Sequence, residues 1–332
     1  MKIDFYCALL CASVAGATQL KQMAPLKFLS QMMTQQEPTC LTTALRAREK
    51  EPNNFYDLQK RTKSKYEDQS FSHGSEALYW ANMGEADGDM ASKEKSKSIE
   101  WMRASDNFPS ATLFGSKGVQ VGDISQGFIG NCWILSALAA VADSPGRIEK
   151  LFLNTGNEQS AEGVYAVNLY VLGLPMTIMV DDYLPLTKRS DDSFSTVFTE
   201  ISDDGSLWGP ILEKAFAKRY GNYEHIVGGL PTEAVRTLTG APYQTFTHDD
   251  IDIVRLWNLL SSHDSSKDFT QAGTEGSDDT LQNSVGLVKG HAYTVLGVHK
   301  LSRDGTRLVK IRNPWGSEVF HGAWSDDSPN WD

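Results

Sequence analysis

The chain has 332 residues, with 42 acidic side chains against 31 basic ones, a formal charge of −11, 40% apolar residues and 22% charged ones. This is ordinary globular composition, long enough for two domains or lobes. The acidic balance, with no Lys/Arg stripe interleaved with aromatics, argues against a nucleic-acid partner.

Lys2 precedes the apolar stretch Phe5–Ala17, and Ala15-Gly16-Ala17 places small residues just before Thr18. That layout predicts a secretory signal peptide over residues 1–17, too short to span a membrane. The expected route is the secretory pathway, to the outside or to a vacuole; without a leader the chain would be cytoplasmic. No later run reaches the roughly 18 apolar residues of a membrane-spanning helix. Of the four cysteines, Cys7, Cys11, Cys40 and Cys132, cleavage would remove two. The remaining pair is too sparse for a disulfide framework. Neither a CxxC nor an HExxH zinc pattern occurs, nor an Asn-x-Ser/Thr glycosylation site.

Residues 18–65 are mixed and weakly periodic, a pro-segment or a loosely packed extension. Glu85–Ser98 reads as a charged surface loop, and its "EADGDM" lacks the alternating ligands and closing Glu of an EF-hand. After Gly130 a nearly all-apolar run predicts a buried helix that Pro145 ends. Residues 163–173 and 176–186 read as a hairpin turning at Leu174-Pro175. Residues 209–221 read as a helix with Pro near its start and Gly at its end, and 251–262 as another. The polar stretch 261–280 reads as loop. Residues 291–301 and 307–313 flank Asp304-Gly305, a hairpin turn signal. The order predicts an α+β protein with a helical lobe first and a strand-rich lobe last, changing near Gly228-Gly229.

Cys132 stands where the helical pattern begins. A helix N-terminus favours thiolate, the nucleophilic form. Gly127 and Gly130 let the approach turn sharply. Gln126, six residues upstream, carries an amide donor; with the Cys132 N–H it supplies two donors for a developing oxyanion. The competing reading is a cysteine that only fills core space. A nucleophile needs a base and a third group to orient it. His291 opens the first strand of the last hairpin, and Asn313 ends the second, so the two strand ends can lie side by side. Trp315 follows and can shield the pair. His299 and His321 are the rival bases, one alternating along the strand and one in a loop. The order Cys, His, Asn is the papain-type arrangement.

These residues sit in blocks that closely resemble the calpain family of papain-like cysteine endopeptidases: "DISQGFIGNCWILSALAAVADSP", "VDDYLP", "LWGPILEKAFAKRYGNYEHIVGG", "GLVKGHAY", "IRNPWG" and "GAWSD", with weaker similarity from "YEDQSF" and "IEWMRAS". The resemblance covers roughly residues 66–332. It implies a papain-like two-lobe peptidase, with a helical lobe (66–230) carrying the cysteine and an antiparallel β lobe (231–332) carrying His and Asn. It implies Cys132 as nucleophile, His291 as base, Asn313 as orienting residue, Gln126 in the oxyanion hole and Trp315 as a wedge between lobes. Gly228, Gly229 and Gly290 would lie along a substrate backbone, and protein or peptide substrates would be the partners. The resemblance also implies activating Ca²⁺, with Gly118, Asp123 and Asp203 or Asp204 at one site and Asp326 at a second; such oxygen ligands suit Ca²⁺. Three departures stand out. Asn131 replaces the family's usual Asp before the nucleophile. Val319 falls where a Glu is expected, with Glu318 adjacent. A calpain core also continues past Asp332, so the second lobe is expected to be incomplete. The alternative function is therefore an inactive calpain-like binding or regulatory protein.

Overall fold

The computed structural model describes residues 3–8, 55–60, 64–78, 99–171, 173–266, 268–276 and 278–331. The expected loop Glu85–Ser98 and most of the extension 18–65 lie outside these residues.

Helices and antiparallel sheets share the chain, an α+β arrangement. The strands are β1 (Ile3–Ala8), β2 (Ile99–Arg103), β3 (Val164–Val171), β4 (Leu174–Asp181), β5 (Tyr183–Lys188), β6 (Phe194–Thr196), β7 (Tyr243–Phe246), β8 (Phe269–Thr274), β9 (Ala292–Lys300) and β10 (Arg307–Arg312). The helices that matter here are α1 (Cys132–Ala142), α2 (Trp208–Tyr220), α3 (Pro231–Thr239) and α4 (Ile253–Ser266). β3 and β4 form a two-stranded ribbon, β2-β5-β6 a small sheet, and β10-β9-β8-β1-β7 a five-stranded sheet.

Every residue of α1 is buried, which is why its sequence is apolar all round rather than striped. It is the centre of the main core, with Trp208, Phe216, Val235, Leu238 and Phe269 in the same cluster. α2 matches the expected helix, with Pro210 in its first turn and Gly221 closing it at φ +111°. Behind it an ionic network is buried. Lys214 donates to Asp181 (2.5 Å), His73 meets the other Asp181 oxygen (2.8 Å), and Lys218 reaches Asp68 (2.7 Å). Both Asp181 and Lys214 are fully buried.

Three sequence expectations need correction. Leu174-Pro175 is not the turn; both residues begin β4 and pair with Val171 and Tyr170. The run 176–186 is not one strand, because it breaks at Asp182 and β5 pairs instead with β2 and β6. The stretch 261–280 is not loop throughout. α4 runs to Ser266, and β8 follows with all six residues buried. β8 has no apolar alternation because both of its faces are covered and hydrogen bonds satisfy its polar side chains. The α3 helix was not anticipated; Pro231 opens it and Gly240, left-handed at φ +68°, caps it.

β1 falls within the expected signal peptide. It fills the slot between β7 and β8, antiparallel to both.

Candidate active site

The site forms where α1 meets the neighbouring strands β8 and β9 of the larger sheet. Asn131 starts α1: its carbonyl accepts the Ile134 and Leu135 N–H groups, so Cys132 occupies the first helical position. Gly127 is required in the approach, since a Cβ there would lie 1.9 Å from the Phe198 carbonyl oxygen. Ser136, one turn along α1, ties the helix to the sheet. Its hydroxyl contacts the Gln271 amide at 3.0 Å, and its carbonyl accepts the Thr294 hydroxyl at 2.8 Å.

His291 is held by β8. Its N–H donates to the Thr274 hydroxyl, and its carbonyl accepts the Thr274 N–H, both at 3.0 Å. Gly290 before it sits at φ +57°, and a Cβ there would be 2.8 Å from the Gly276 carbonyl. The imidazole Nε2 meets Asn313 Oδ1 at 2.9 Å. Trp315 N–H donates to the same oxygen at 3.0 Å, and its indole lies 5.1 Å from the His291 ring. Nδ1 of His291 is buried with no partner. The next residue, Ala292, turns its backbone N–H onto the Cys132 sulfur. Cys132, His291 and Asn313 are thus gathered. Of the rival bases, His299 lies toward the far end of β9, and His321 contacts the Ser284 carbonyl.

Gln126 is placed beside the residues that follow β10: its N–H donates to the Pro314 carbonyl (2.8 Å). Its amide Nε2 donates one hydrogen to the Ile129 carbonyl (2.8 Å), leaving one for another acceptor. Gly228 N–H donates to the Gly130 carbonyl, and Gly229 packs against the Trp133 ring with no room for a Cβ. Arg312 crosses from β10 to the α1 approach, donating to the Ile124 carbonyl at 2.5 Å.

Electrostatics in this arrangement run against the expected thiolate. Burial pushes the Cys132 thiol up to about 11, and the Ala292 N–H only partly offsets it. Burial also lowers the His291 imidazole, against the pull of Asn313. Desolvation outweighs the helix N-terminus, so at neutral pH both groups are held neutral.

The proposed calcium residues are only partly gathered. Asp123 is buried, and burial raises its carboxyl, opposed by the Gln120 N–H and the Trp208 indole; the charge of Asp204 raises it further. Burial acts upward on Asp204 too, but the Ser202 hydroxyl and Lys117 N–H hold it below the ordinary value. Two carboxylates that repel each other fit a hard dication, with Gly118, at φ +73°, in the same segment as Lys117. Asp203 is exposed. Asp326 belongs to a separate turn, where its N–H donates to both Glu318 oxygens (3.0 Å). Among the described residues no group of three or more His, Cys, Asp or Glu side chains is gathered as for a metal. No helix among them is long and apolar enough to cross a membrane.

Two residues outside the sequence reading join the site. Thr274 anchors the His291 backbone, and Glu213 accepts the Asn131 amide at 2.6 Å. The adjacent charges Glu213 and Lys214 inside the otherwise apolar run "GPILEKAFA" are the one signal that marked the second.

Residues 66–332 match the family model described as calpain family cysteine protease. Similar curated proteins include calpain-type cysteine protease DEK1 of Zea mays, 35% identical over 244 residues, covering 70% of this chain and 11% of that protein. Calpain-12 of Homo sapiens is 33% identical over 272 residues, covering 80% of this chain and 36% of that protein. Calpain-5 of Caenorhabditis elegans is 28% identical over 270 residues, covering 72% of this chain and 41% of that protein. The chain therefore spans about a tenth of the plant relative's length and about a third of the human relative's.

Proposed function

We propose that this chain, which belongs to the calpain family of cysteine proteases, hydrolyses peptide bonds in protein substrates through Cys132, in a cleft between a helical lobe and a β lobe. The observation that carries this is the division of labour on the imidazole. Asn313 takes Nε2, and Nδ1 remains unpartnered on the strand that touches the Cys132 sulfur.

The reaction balances as acyl transfer in two halves. Cys132 Sγ attacks the scissile carbonyl carbon while its proton passes to His291 Nδ1. The Cys132 N–H and the second Gln126 amide hydrogen hold the oxyanion. The intermediate collapses, the C–N bond breaks, and His291 gives its proton to the leaving amine. Water then attacks the thioester, with His291 as base, releasing the acid and restoring the thiol. Asn313 keeps the ring in one tautomer and orientation, and Trp315 excludes water from that bond. Gly228, Gly229 and Gly290 leave the cleft walls low enough for an extended substrate backbone.

Calcium is the proposed activator. Gly118, Asp123 and Asp204 would hold it, with Asp203 and Asp326 brought in from their turns, and bound Ca²⁺ supplies positive charge that neutralises facing carboxylates. The second reading, a calpain-like binding protein without activity, rests on the neutral Cys132 and His291. Hydrolysis of a denatured protein with and without calcium separates the two. Turnover, with a Cys132-linked acyl-enzyme trapped by mass spectrometry and lost in Cys132→Ser, supports the peptidase; no turnover under either condition overturns it.

We also propose that the newly made chain enters the secretory pathway by residues 1–17. Cleavage before Thr18 would remove β1, so the two fates of that segment exclude each other. N-terminal sequencing of the exported protein should begin at Thr18; a mature chain beginning at Met1 overturns the proposal.

A further inference from the structure

Glu213 is the most deeply buried acid near the nucleophile that the proposed chemistry leaves unused. It sits on α2, 2% exposed, and no basic group among the described residues pairs with it. Its Oε1 accepts the Asn131 amide (2.6 Å) and the Thr199 hydroxyl (2.7 Å), and its Oε2 accepts the Thr199 N–H (3.0 Å). Asn131 is completely buried, and its Oδ1 has no partner, so Glu213 alone fixes that amide. Cys132 follows directly. Thr199 is continuous with Val197 and Phe198, which pack on the approach: Val197 accepts the Phe128 N–H (3.1 Å), and the Phe198 carbonyl abuts Gly127. One carboxylate therefore touches both the start of the nucleophile's helix and the backing of the loop that leads to it.

We propose that Glu213 is a positioning residue for Cys132, acting through the Asn131 amide, with the Thr199 hydroxyl and N–H holding the carboxylate in place. This rests on the peptidase reading only for its consequence in turnover; the positioning itself is independent of it. An ionised carboxylate only accepts, which is what three converging donors need. A proton on it displaces a donor and frees the first turn of α1. Burial raises Glu213 to about 7, against the Thr199 and Asn131 bonds. That brings the change into the neutral range. The surroundings offer no competing charge. Lys214, next on the helix, turns to Asp181 and the Tyr183 carbonyl. Asn131 and Thr199 are uncharged donors. Tyr223, from the segment after α2, is a buried phenol that the Glu213 charge, after burial, holds protonated.

The test uses the full chain, with iodoacetamide as the probe and peptide mass spectrometry to read Cys132 alone. Alkylation rates are taken from pH 5 to pH 10 for the parent, Glu213→Gln and Asn131→Ala, with circular dichroism as the check on folding. The parent should show a step in rate near pH 7 beside the thiol's own ionisation. Both variants should lose that step and react about fivefold differently above it, the size of one buried hydrogen bond. Should Glu213→Gln fail to fold, Asn131→Ala, which leaves Glu213 in place, decides. A parent without the step, folded variants that keep it, or a loss in Glu213→Gln but not in Asn131→Ala would each overturn the proposal. If the step behaves as expected while the parent hydrolyses no protein, the positioning stands and the peptidase reading falls.

Discussion

His291 and Asn313 meet through a single 2.9 Å contact between Nε2 and Oδ1, and that contact decides which face of the imidazole is left for chemistry. The two residues end adjacent strands of one hairpin, so the turn at Asp304-Gly305 brings together groups 22 positions apart. With Nε2 spoken for, Nδ1 is the nitrogen that can exchange a proton with sulfur.

Replacing His291 with Ala should lower kcat/KM by about 10²- to 10⁴-fold, the usual contribution of a positioned base. Asn313→Ala should leave the ring in place but free to rotate, so kcat should fall with KM little changed. Steady-state kinetics on a peptide substrate check both. An Asn313→Ala enzyme with the parental kcat would contradict the orienting role.

The buried thiol and phenols give the fold an alkaline limit. Cys132 at about 11 and Tyr165 at about 12 lie above their ordinary values of 9.0 and 10.0, in each case chiefly through burial. A raised value means the folded state binds the proton more tightly. Their contribution is therefore complete below the unfolded pKa and is lost as pH rises through the folded one. The urea midpoint should fall as pH rises from about 9 to about 12, and less steeply in Cys132→Ser. A midpoint flat across that range would count against the burial of both groups.

Lys214→Met should cost about 3–5 kcal/mol, because it leaves the Asp181 carboxylate buried without its ammonium. Asp181 sits well below its ordinary range, with burial acting upward and His73 and Lys214 together prevailing. Stability from this group is present at neutral pH and is lost only in acid. Equilibrium urea unfolding of the variant at pH 7 is the measurement; a loss under about 1 kcal/mol would mean the pair is solvated.

Much of this was legible in the sequence, and the parts that were not share a physical cause. Cys132, His291 and Asn313 could be found because reactive residue types sit beside strong punctuation: Gly127 and Gly130, Gly290, Pro314. α1 and α2 carried their apolar run or their caps. β8 did not, since Thr270, Gln271 and Thr274 look like loop until both faces of the strand are seen to be covered. Thr274 is the residue that fixes His291, and Gln271 grips Ser136. Glu213 and Lys214 resemble a solvated helix face in one dimension, and Asp181 a charged strand end; only the packing turns them inward. The thiolate expected of a helix start fails for a related reason: composition does not show how completely Cys132 is desolvated.

Asn131→Asp should place a second carboxyl 2.6 Å from Glu213. Two acids so close share a proton, and the pair titrates upward. Turnover should then need a higher pH than in the parent, and stability should drop as pH rises above 7. A pH–kcat/KM profile superimposable on the parent's would contradict the contact.

Asp123→Asn and Asp204→Asn should each raise the calcium concentration needed for half-maximal activity about tenfold, the scale on which ligand charge tunes such sites. Calcium titration by calorimetry should weaken in parallel. Unchanged titrations in both variants would place calcium elsewhere.

The proposed reaction requires that Cys132 and His291 act as one reactive pair and that calcium activates it. The direct measurement is the rate at which an epoxide thiol reagent labels Cys132, with and without calcium, in the parent and in His291→Ala. Fast labelling that needs calcium and disappears in His291→Ala is the predicted result. Slow labelling, indifferent to calcium and to loss of His291, would contradict it.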